Sequence, residues 1–405
     1  MSARLRYAAV LRSPYVVRLL TTALISRAPV GVNGLAIVLF MRAETGSYAT
    51  AGAVAGFYAV GAAVVAPFLG RLVDRTGAPR VLLPLAIAHG VFLGALVALG
   101  VSGTGHGVLF LVAFAAGSAI PPVGSVLRAL WPKLMAGEPD LLTTAYALDS
   151  VIVEIAFVIG PLVVGLVAAV ASPQLALLAA IGLVIGGTAA FTANAPVRAY
   201  DPGGDHAHDT GGRLGALRSP GVRTLIATTL PIGFCVGAAE VAFPAFGESV
   251  GSPALAGPLI AIWSLGSACG GLFYGAHAHR VDLTTAYLRT LAIVPLVTLP
   301  LALPSSFVVM APLALLSGIA IAPLIAAGSQ LVGQVAPQGA LTEAYTWPLT
   351  SLVGGVAAGN AASGGIVASI GWREAFIAAA AVGAFGIAVG FLRRATLRPA
   401  DAPAA

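Results

Sequence analysis

Four charged side chains stand inside long apolar stretches of this sequence: Arg27, Asp149, Glu154 and Glu240. An ionisable group surrounded by hydrocarbon costs about 2.5–3.5 kcal/mol, so each of them is expected to have a charged partner or a function. A guanidinium and a carboxylate can neutralise each other. A carboxylic acid without a cation can take up and release a proton, because burial disfavours its charged form. The set therefore indicates ion pairing and proton transfer.

The composition predicts that these charges lie inside a membrane. Hydrophobic residues make up 58% of the chain and charged residues 9%, against roughly 45–50% apolar residues in soluble domains. The net charge of +6 does not indicate nucleic-acid binding, because Lys and Arg cluster in alternate loops, as the positive-inside rule expects. No nucleophile–base pair, phosphate-binding loop or metal-ligand cluster is visible in the sequence. We therefore expect no enzyme, no catalytic residues, no metal and no cofactor.

Twelve segments approach the length of about 20 apolar residues that one span needs. The sequence thus predicts an all-α membrane protein with spans at Tyr15–Phe40, Ala49–Leu69, Val81–Val101, Val108–Leu130, Leu142–Ala171, Gln174–Ala195, Val222–Phe246, Pro253–Ala276, Leu283–Pro304, Ser306–Gln330, Leu341–Ile370 and Trp372–Leu392. The polar insert at its centre, rich in Gly and Asp, is typical of a linker. The predicted units are a six-helix bundle at 1–196, a cytoplasmic linker at 197–219 and a second bundle at 220–405.

Loop charges predict the orientation. One set of alternate loops, together with both termini and the linker, carries most of the Lys and Arg outside the spans, whereas the opposite loops contain only Arg42 and Arg373. By the positive-inside rule, both termini and the linker are expected in the cytoplasm. The expected location is the plasma or inner membrane of the cell.

The sequence also contains traces of an internal repeat. A shift of 205 residues brings Gly61 onto Gly266 and Gly70 onto Gly275, and a shift of 199 brings Tyr146 onto Tyr345. Ordered matches at nearly one offset predict two pseudo-symmetric six-helix halves. A transporter built in this way has its site near the midplane, between the halves.

The most informative loop joins the second and third spans and reads GRLVDRTGAPR. A basic loop occurs in many membrane proteins, but here glycines that permit close approach and a tight reversal flank an aspartate one helical turn past the first of them. The pattern GxLxDRxG at this position resembles motif A of the major facilitator superfamily, carried by Gly70, Asp74, Arg75, Gly77 and Arg80. The second copy, Gly275–Asp282, is degraded, with His279 where Asp74 stands.

The resemblance covers essentially the whole chain and implies secondary active transport of a small molecule by rocking of the two halves. Motif A is expected to act as a conformational latch. Asp74 should contact the start of the eleventh span near Thr342–Ala344, where helix amides favour an anion. Gly160 and Pro161 look like a loosened form of the Gly-Pro motif of proton-coupled drug exporters, or they form an ordinary proline kink. TEAYTWP, at Thr342–Pro348, resembles the corresponding segment of bacterial drug and metabolite exporters.

These features favour an exporter of a small amphipathic compound. The alternatives are an uptake symporter for a polar metabolite or sugar, and a membrane sensor or scaffold that no longer transports. The arginine that such exporters carry early in the fourth span is absent, since Ala113 stands four residues before Gly117. Proton coupling therefore does not follow from the resemblance. The expected partners are the substrate, protons and the lipid bilayer, without nucleic acid, and the protein is expected to be a monomer.

Depth along the spans predicts which charges meet. Arg27 lies about eight residues beyond Leu19, and Glu154 lies about twelve residues into the fifth span, so the two are at similar depth. We predict that Arg27 and Glu154 pair, either at the cavity or as a permanent helix-locking pair. Asp149 is shallower and is expected to meet Arg128.

Glu240 has no basic residue at its level and is a candidate proton carrier or cation contact, unless it simply faces external water; Glu154 is the second candidate for proton coupling. A further set of polar and aromatic residues in the spans is expected either to pack between helices or, for about half of them, to line the cavity: Asn33, Tyr58, Trp263, Gln330, Trp347 and Asn360.

Overall fold

The computed structural model describes residues 3–27, 33–46, 48–200, 215–252, 255–277 and 282–398, without the side chains of residues 3, 35, 48, 49, 154–166, 168, 169 and 256. Regular structure in these residues is helical throughout. The N-terminal half contains α1 (Ala3–Arg12), α2 (Val16–Arg27), α3 (Asn33–Thr45), α4 (Tyr48–Thr76), α5 (Ala78–Val101), α6 (His106–Ser118), α7 (Val123–Leu134), α8 (Pro139–Val170), α9 (Pro173–Thr192) and the short α10 (Ala195–Arg198).

The C-terminal half begins with a 3-10 turn at Gly215–Arg218. It continues with α11 (Pro220–Ser249), α12 (Ala256–His277), α13 (Leu283–Thr298), α14 (Phe307–Gly318), α15 (Ile321–Val335), α16 (Leu341–Ser369) and α17 (Trp372–Leu392), with further 3-10 turns at Leu299–Ala302 and Arg394–Leu397. Backbone groups in hydrocarbon must be satisfied within their own segment, which is why these apolar stretches are helical.

Among the described residues, ten helical segments are long and apolar enough to cross a membrane, with α6–α7 and α14–α15 counted as one span each. The first and fifth predicted spans correspond to α2–α3 and to α8, which is 32 residues long. The predicted all-α membrane fold is thereby confirmed.

Two of the spans are not the continuous helices that the sequence predicted. The fourth is interrupted between Ser118 and Val123, where Pro121 and Pro122 supply no backbone N–H and restrict the residues before them. The tenth is interrupted between Gly318 and Ile321. Because of the break in the fourth span, Gly124 and Arg128 lie on a separate helix, α7.

Helix α1 was not predicted. It meets α2 at an angle of 84° and packs on α8 and on α12 of the other half. The hydroxyl of Tyr7 donates to the carbonyl oxygen of Leu272, 2.7 Å away. The N-terminal helix therefore contacts both halves.

The internal repeat is visible as a repeated helix contact. A Cβ on Gly61 of α4 would collide with the carbonyl oxygen of Phe114 on α6, and a Cβ on Gly266 of α12 would collide with that of Leu315 on α14. Glycine is required at both positions because the two helix backbones touch. The match at a shift of 205 thus corresponds to equivalent packing in the two halves.

The buried apolar side chains form three clusters. One cluster contains residues of both halves, among them Leu127, Tyr146, Leu331 and Tyr345. A second lies within the N-terminal half around Phe40 and Leu93, and a third within the C-terminal half around Phe243 and Phe376. The halves therefore share one core at the end that carries the Gly70–Arg80 loop, called the basic side below, and have separate cores at the opposite end.

Candidate functional site

On the basic side, Asp74 joins the two halves. Its Oδ1 accepts from the backbone N–H of Thr342 at 3.0 Å, and its Oδ2 accepts from that of Glu343 at 2.7 Å. Helix α16 begins at Leu341, so the carboxylate occupies the N-terminal end of a helix, where free amides and the helix dipole stabilise a negative charge. The contact predicted for Asp74 is present.

An ion pair that the sequence did not predict lies beside it. Arg71 donates through Nη2 to Oε1 of Glu343 at 2.7 Å and through Nε to Oε2 at 3.0 Å. The indole N–H of Trp347 also donates to Oε1 of Glu343, at 3.2 Å. A two-point guanidinium–carboxylate contact fixes orientation as well as charge. Arg71, Asp74, Thr342 and Glu343 together are called the latch below.

The remaining motif residues surround the latch. Gly77 has a φ of 88° and makes the predicted reversal between α4 and α5. Arg75 lines a small depression that it shares with the latch, and Arg80 donates to the carbonyl oxygen of Thr76 at 3.4 Å. The Tyr200 hydroxyl lies 2.7 Å from Oγ1 of Thr342. Burial, with the nearby charge of Asp74 as a smaller cause, raises the pKa of Tyr200, so this hydroxyl keeps its proton.

Gly215, which lies within the predicted linker at 197–219, touches the latch. It has a φ of +45°, and a Cβ there would collide with the carboxylate of Glu343 and approach Nη2 of Arg71 to 2.8 Å. We expect Gly215→Ala to separate the Arg71–Glu343 pair and to lower transport severalfold, measured as initial rates in reconstituted vesicles. Gly137→Ala is the matched control, because Gly137 has a φ of +83° with no atom near the added Cβ. Equal rates in the two variants would contradict the role given to Gly215.

Two tyrosines from equivalent positions of the repeat meet between the halves. The hydroxyls of Tyr146 on α8 and Tyr345 on α16 are hydrogen-bonded to each other, and Tyr146 also donates to the carbonyl oxygen of Arg128 at 3.1 Å. Nearby, the side-chain amide of Gln330 donates to Oγ1 of Thr143 at 2.7 Å. The predicted cavity residue Gln330 thus takes part in closing the basic side.

Deeper in the N-terminal half, three charges form a cluster. Nη1 of Arg27 lies 2.6 Å from Oδ1 of Asp149, and Nε of Arg128 lies 2.8 Å from Oδ2 of the same carboxylate. Asp149 is fully buried. The predicted Asp149–Arg128 contact is present, and Asp149 is also the partner of Arg27, for which Glu154 was expected. The three residues are called the charge triad below.

Asp149 and Glu154 occupy different faces of α8. Glu154 lies five residues beyond Asp149, and this spacing places the two positions about 140° apart round the helix axis at 3.6 residues per turn. The side chains of Glu154, Gly160 and Pro161 lie outside the described part of the structure. The backbone of α8 is helical through all three positions. Their roles in coupling and bending stay predictions.

On the side opposite to the latch, Glu240 is exposed. Its Oε2 accepts a hydrogen bond of 3.2 Å from the side-chain amide of Asn360. No ion pair involves Glu240 among the described residues. The two predicted residues come together there across α11 and α16.

The other predicted cavity residues lie within single halves. The Asn33 amide donates to the Tyr58 hydroxyl at 3.0 Å and lies 3.2 Å from Nε2 of His89, and all three residues are buried in the N-terminal half. Trp263 borders a cavity of about 10 Å³ inside the C-terminal half, which is room for about one water molecule. In this conformation Asn33 and Tyr58 do not face a space between the halves, and their contact with substrate stays a prediction.

The family model described as Major Facilitator Superfamily matches residues 19–311 and again residues 233–405. The chain belongs to the major facilitator superfamily. Members of this superfamily are transporters that sit in a lipid bilayer and bind small molecules, and the chain is accordingly a multi-pass secondary transporter. No curated protein matches the chain.

Solved structures of this fold are similar over nearly the whole chain. The human organic anion transporter MFSD10 has a TM-score of 0.69 at 15% identity, covering 92% of this chain and 99% of its own. A bacterial homologue of the iron transporter ferroportin in an outward-facing state has a TM-score of 0.71 at 15% identity, covering 94% and 98%. The same kind of homologue with soaked iron has a TM-score of 0.71 at 17% identity, with the same coverage.

In this superfamily member, the sequence predicted the Asp74 contact of the latch but not the Arg71–Glu343 pair. The motif pointed to Asp74, whereas Arg71 stands at an unspecified position of the motif and was not singled out. The available signal was Glu343, an acid in the first turn of the eleventh span. The Tyr146–Tyr345 contact had a signal as well, because the repeat aligned the two residues.

Proposed function

We propose that this chain exports a small amphipathic compound in exchange for protons, by alternating access between its two halves. The observation that carries the proposal is the distribution of the core. Among the described residues, the halves share a buried cluster and the latch on the basic side, whereas at the other end each half has its own apolar cluster. Such an arrangement suits a transporter that is closed on one side while the other side is accessible.

The positive-inside rule assigns the basic side to the cytoplasm. In this proposal both termini and the linker at 197–219 are cytoplasmic, the bundles at 1–196 and 220–405 rock as units, and the protein works as a monomer in the plasma or inner membrane. The structure then corresponds to a state closed to the cytoplasm. The exporter-like TEAYTWP segment supports export over uptake, because its Thr342 and Glu343 form part of the latch.

Glu240 is the residue that we propose for proton coupling. It is exposed on the side away from the latch and has an amide, from Asn360, as its hydrogen-bond partner. An amide can bond to both the charged and the neutral carboxyl, so this contact permits proton uptake from outside. Asp149 is less suited to that role, because two guanidinium groups stabilise its negative charge.

The test is dye transport by the reconstituted protein under an imposed proton gradient, with rhodamine 6G and carboxyfluorescein as cationic and anionic probes. We expect Glu240→Gln to abolish gradient-driven transport while dye exchange across the membrane continues. Glu248→Gln is the matched control, because Glu248 is an exposed acid near the end of the same helix. If a protonophore has no effect and Glu240→Gln transports as the wild type does, the protein is a uniporter or uses another ion.

A further inference from the structure

The charge triad carries an excess of positive charge. Arg27 and Arg128 share the single carboxylate of Asp149, so the three side chains sum to one positive charge. The side chains are mostly removed from solvent, with 20% of Arg27, 10% of Arg128 and 1% of Asp149 exposed. No further carboxylate among the described residues pairs with the triad. A buried charge without compensation is strongly unfavourable, and this unfavourable energy is relieved when an anion binds.

The triad also has unused hydrogen-bond donors. Each guanidinium has five N–H donors. The described residues use one bond from Nη1 of Arg27 and one from Nε of Arg128, both to Asp149. The fork of a guanidinium matches a carboxylate or sulfonate at two points. The remaining donors can therefore recognise an anionic group directly.

The arrangement leaves Arg27 reachable. Arg27 is the last residue of α2, about 16 Å along the helix from its start at 1.5 Å per residue, which is close to mid-depth. Its guanidinium lies against Gly124 of α7, where a Cβ would approach Cζ to 3.1 Å and Nη2 to 3.3 Å. The guanidinium therefore packs on the backbone of α7 at Gly124, and one fifth of the Arg27 side chain stays exposed. An exposed fraction of a guanidinium at this depth is favourable only towards water or a polar ligand.

We propose that the charge triad is the anion-binding part of the substrate site, with Arg27 as the residue that contacts the substrate, and that the exported compounds are amphipathic anions such as carboxylates or sulfonates. This rests on the proposed function, for which it names the substrate class. Arg128 and Asp149 are positioning residues: Asp149 holds Arg27 through Nη1, and the other donors of Arg27 make no hydrogen bond to the carboxylate.

The site is connected to the closure of the basic side. Arg128 holds Asp149 with its guanidinium, and its backbone carbonyl accepts a hydrogen bond from the Tyr146 hydroxyl, which is also hydrogen-bonded to Tyr345 of the other half. An anion that shifts Arg27 and Asp149 therefore also acts on Arg128. Through Tyr146, Arg128 is connected to the contact between the halves.

The test is binding of three matched probes to the purified protein in lipid nanodiscs: octanoate, octanol and octylammonium. Binding is measured as a dose-dependent shift of the thermal unfolding midpoint. We expect octanoate to bind to the wild type, at least tenfold more weakly to Arg27→Gln, and with an intermediate affinity to Arg27→Lys, which keeps the charge but loses the two-point contact. Arg18→Gln is the control, because it removes an exposed arginine from the same helix and should leave octanoate binding unchanged.

A second measurement does not depend on a folded variant. Phenylglyoxal labelling of Arg27 in the wild type, followed by peptide mass spectrometry, should be reduced by octanoate and not by octanol. The proposal is overturned if Arg27→Gln binds octanoate as the wild type does, if octylammonium or octanol binds as well as octanoate, or if octanoate neither stabilises the wild type nor protects Arg27. Proton-driven export of rhodamine 6G with no octanoate binding would overturn the anion site alone. Octanoate binding at Arg27 without transport of either dye would overturn the proposed function alone.

Discussion

Replacing Asp74 by Asn is expected to lower the transport rate about tenfold or more without unfolding the protein. The carboxylate accepts from two amides at the start of α16, and hydrogen bonds to charged groups contribute about 1.5–3 kcal/mol each. Asn keeps one acceptor oxygen and loses both the second acceptor and the charge. Because about 1.4 kcal/mol corresponds to a tenfold change in an equilibrium, the state closed on the basic side should be depleted by at least that factor.

The measurement is the initial transport rate in vesicles, together with the thermal unfolding midpoint of the purified variant. Asp140→Asn is the matched control, since Asp140 is an exposed acid in the first turn of α8 and its carboxylate makes no ion pair among the described residues. A wild-type transport rate in Asp74→Asn would show that the contact does not act as a latch.

The largest loss of stability is expected from Asp149→Asn. This change leaves the guanidinium groups of Arg27 and Arg128 buried together without their shared carboxylate. Removing one partner of a buried ion pair typically destabilises a protein by about 3–5 kcal/mol. We expect a correspondingly lower unfolding midpoint and a poor yield of monodisperse protein in size-exclusion chromatography.

The double variant Asp149→Asn with Arg128→Gln separates the effect of unpaired charge on stability from the effect of packing. It removes one of the two positive charges, so it should be more stable than Asp149→Asn alone although it carries one more substitution. Arg27→Gln by itself leaves the Arg128–Asp149 pair intact and should be the mildest of the three. If the double variant is no more stable than Asp149→Asn, the cost comes from packing and not from unpaired charge.

The spans and the Asp74 contact could be predicted because both depend on local patterns. A span needs only a sufficient run of apolar residues, and a carboxylate one turn past a close-packed glycine can reach a neighbouring helix end. The breaks in the fourth and tenth spans escaped prediction, because hydropathy does not register the backbone cost of Pro121 and Pro122. The same limit applies to α1, which is too short and too charged to be read as a span.

Pairing inside the membrane was predicted only in part, and the reason is geometric. Asp149 and Glu154 differ by about 7.5 Å in depth at 1.5 Å per residue, which is within the error of a span boundary drawn from sequence. Depth alone cannot distinguish them as partners of Arg27, whereas rotation about the axis of α8 can. Arg71 and Glu343 are 272 residues apart in the chain, and no local pattern joins them.

The contact between Tyr146 and Tyr345 is of the kind that two copies of one residue make across the axis of a homodimer. Equivalent groups of a repeated unit meet each other only on that axis. A half-length ancestor could therefore have closed its basic side by pairing with an identical subunit. The two copies now differ: Asp74 and Arg71 bind to α16, whereas on the equivalent surface Thr144 donates to the carbonyl oxygen of Gly275. Among the described residues, one contact of the pair is thus charged and the other is a neutral hydrogen bond.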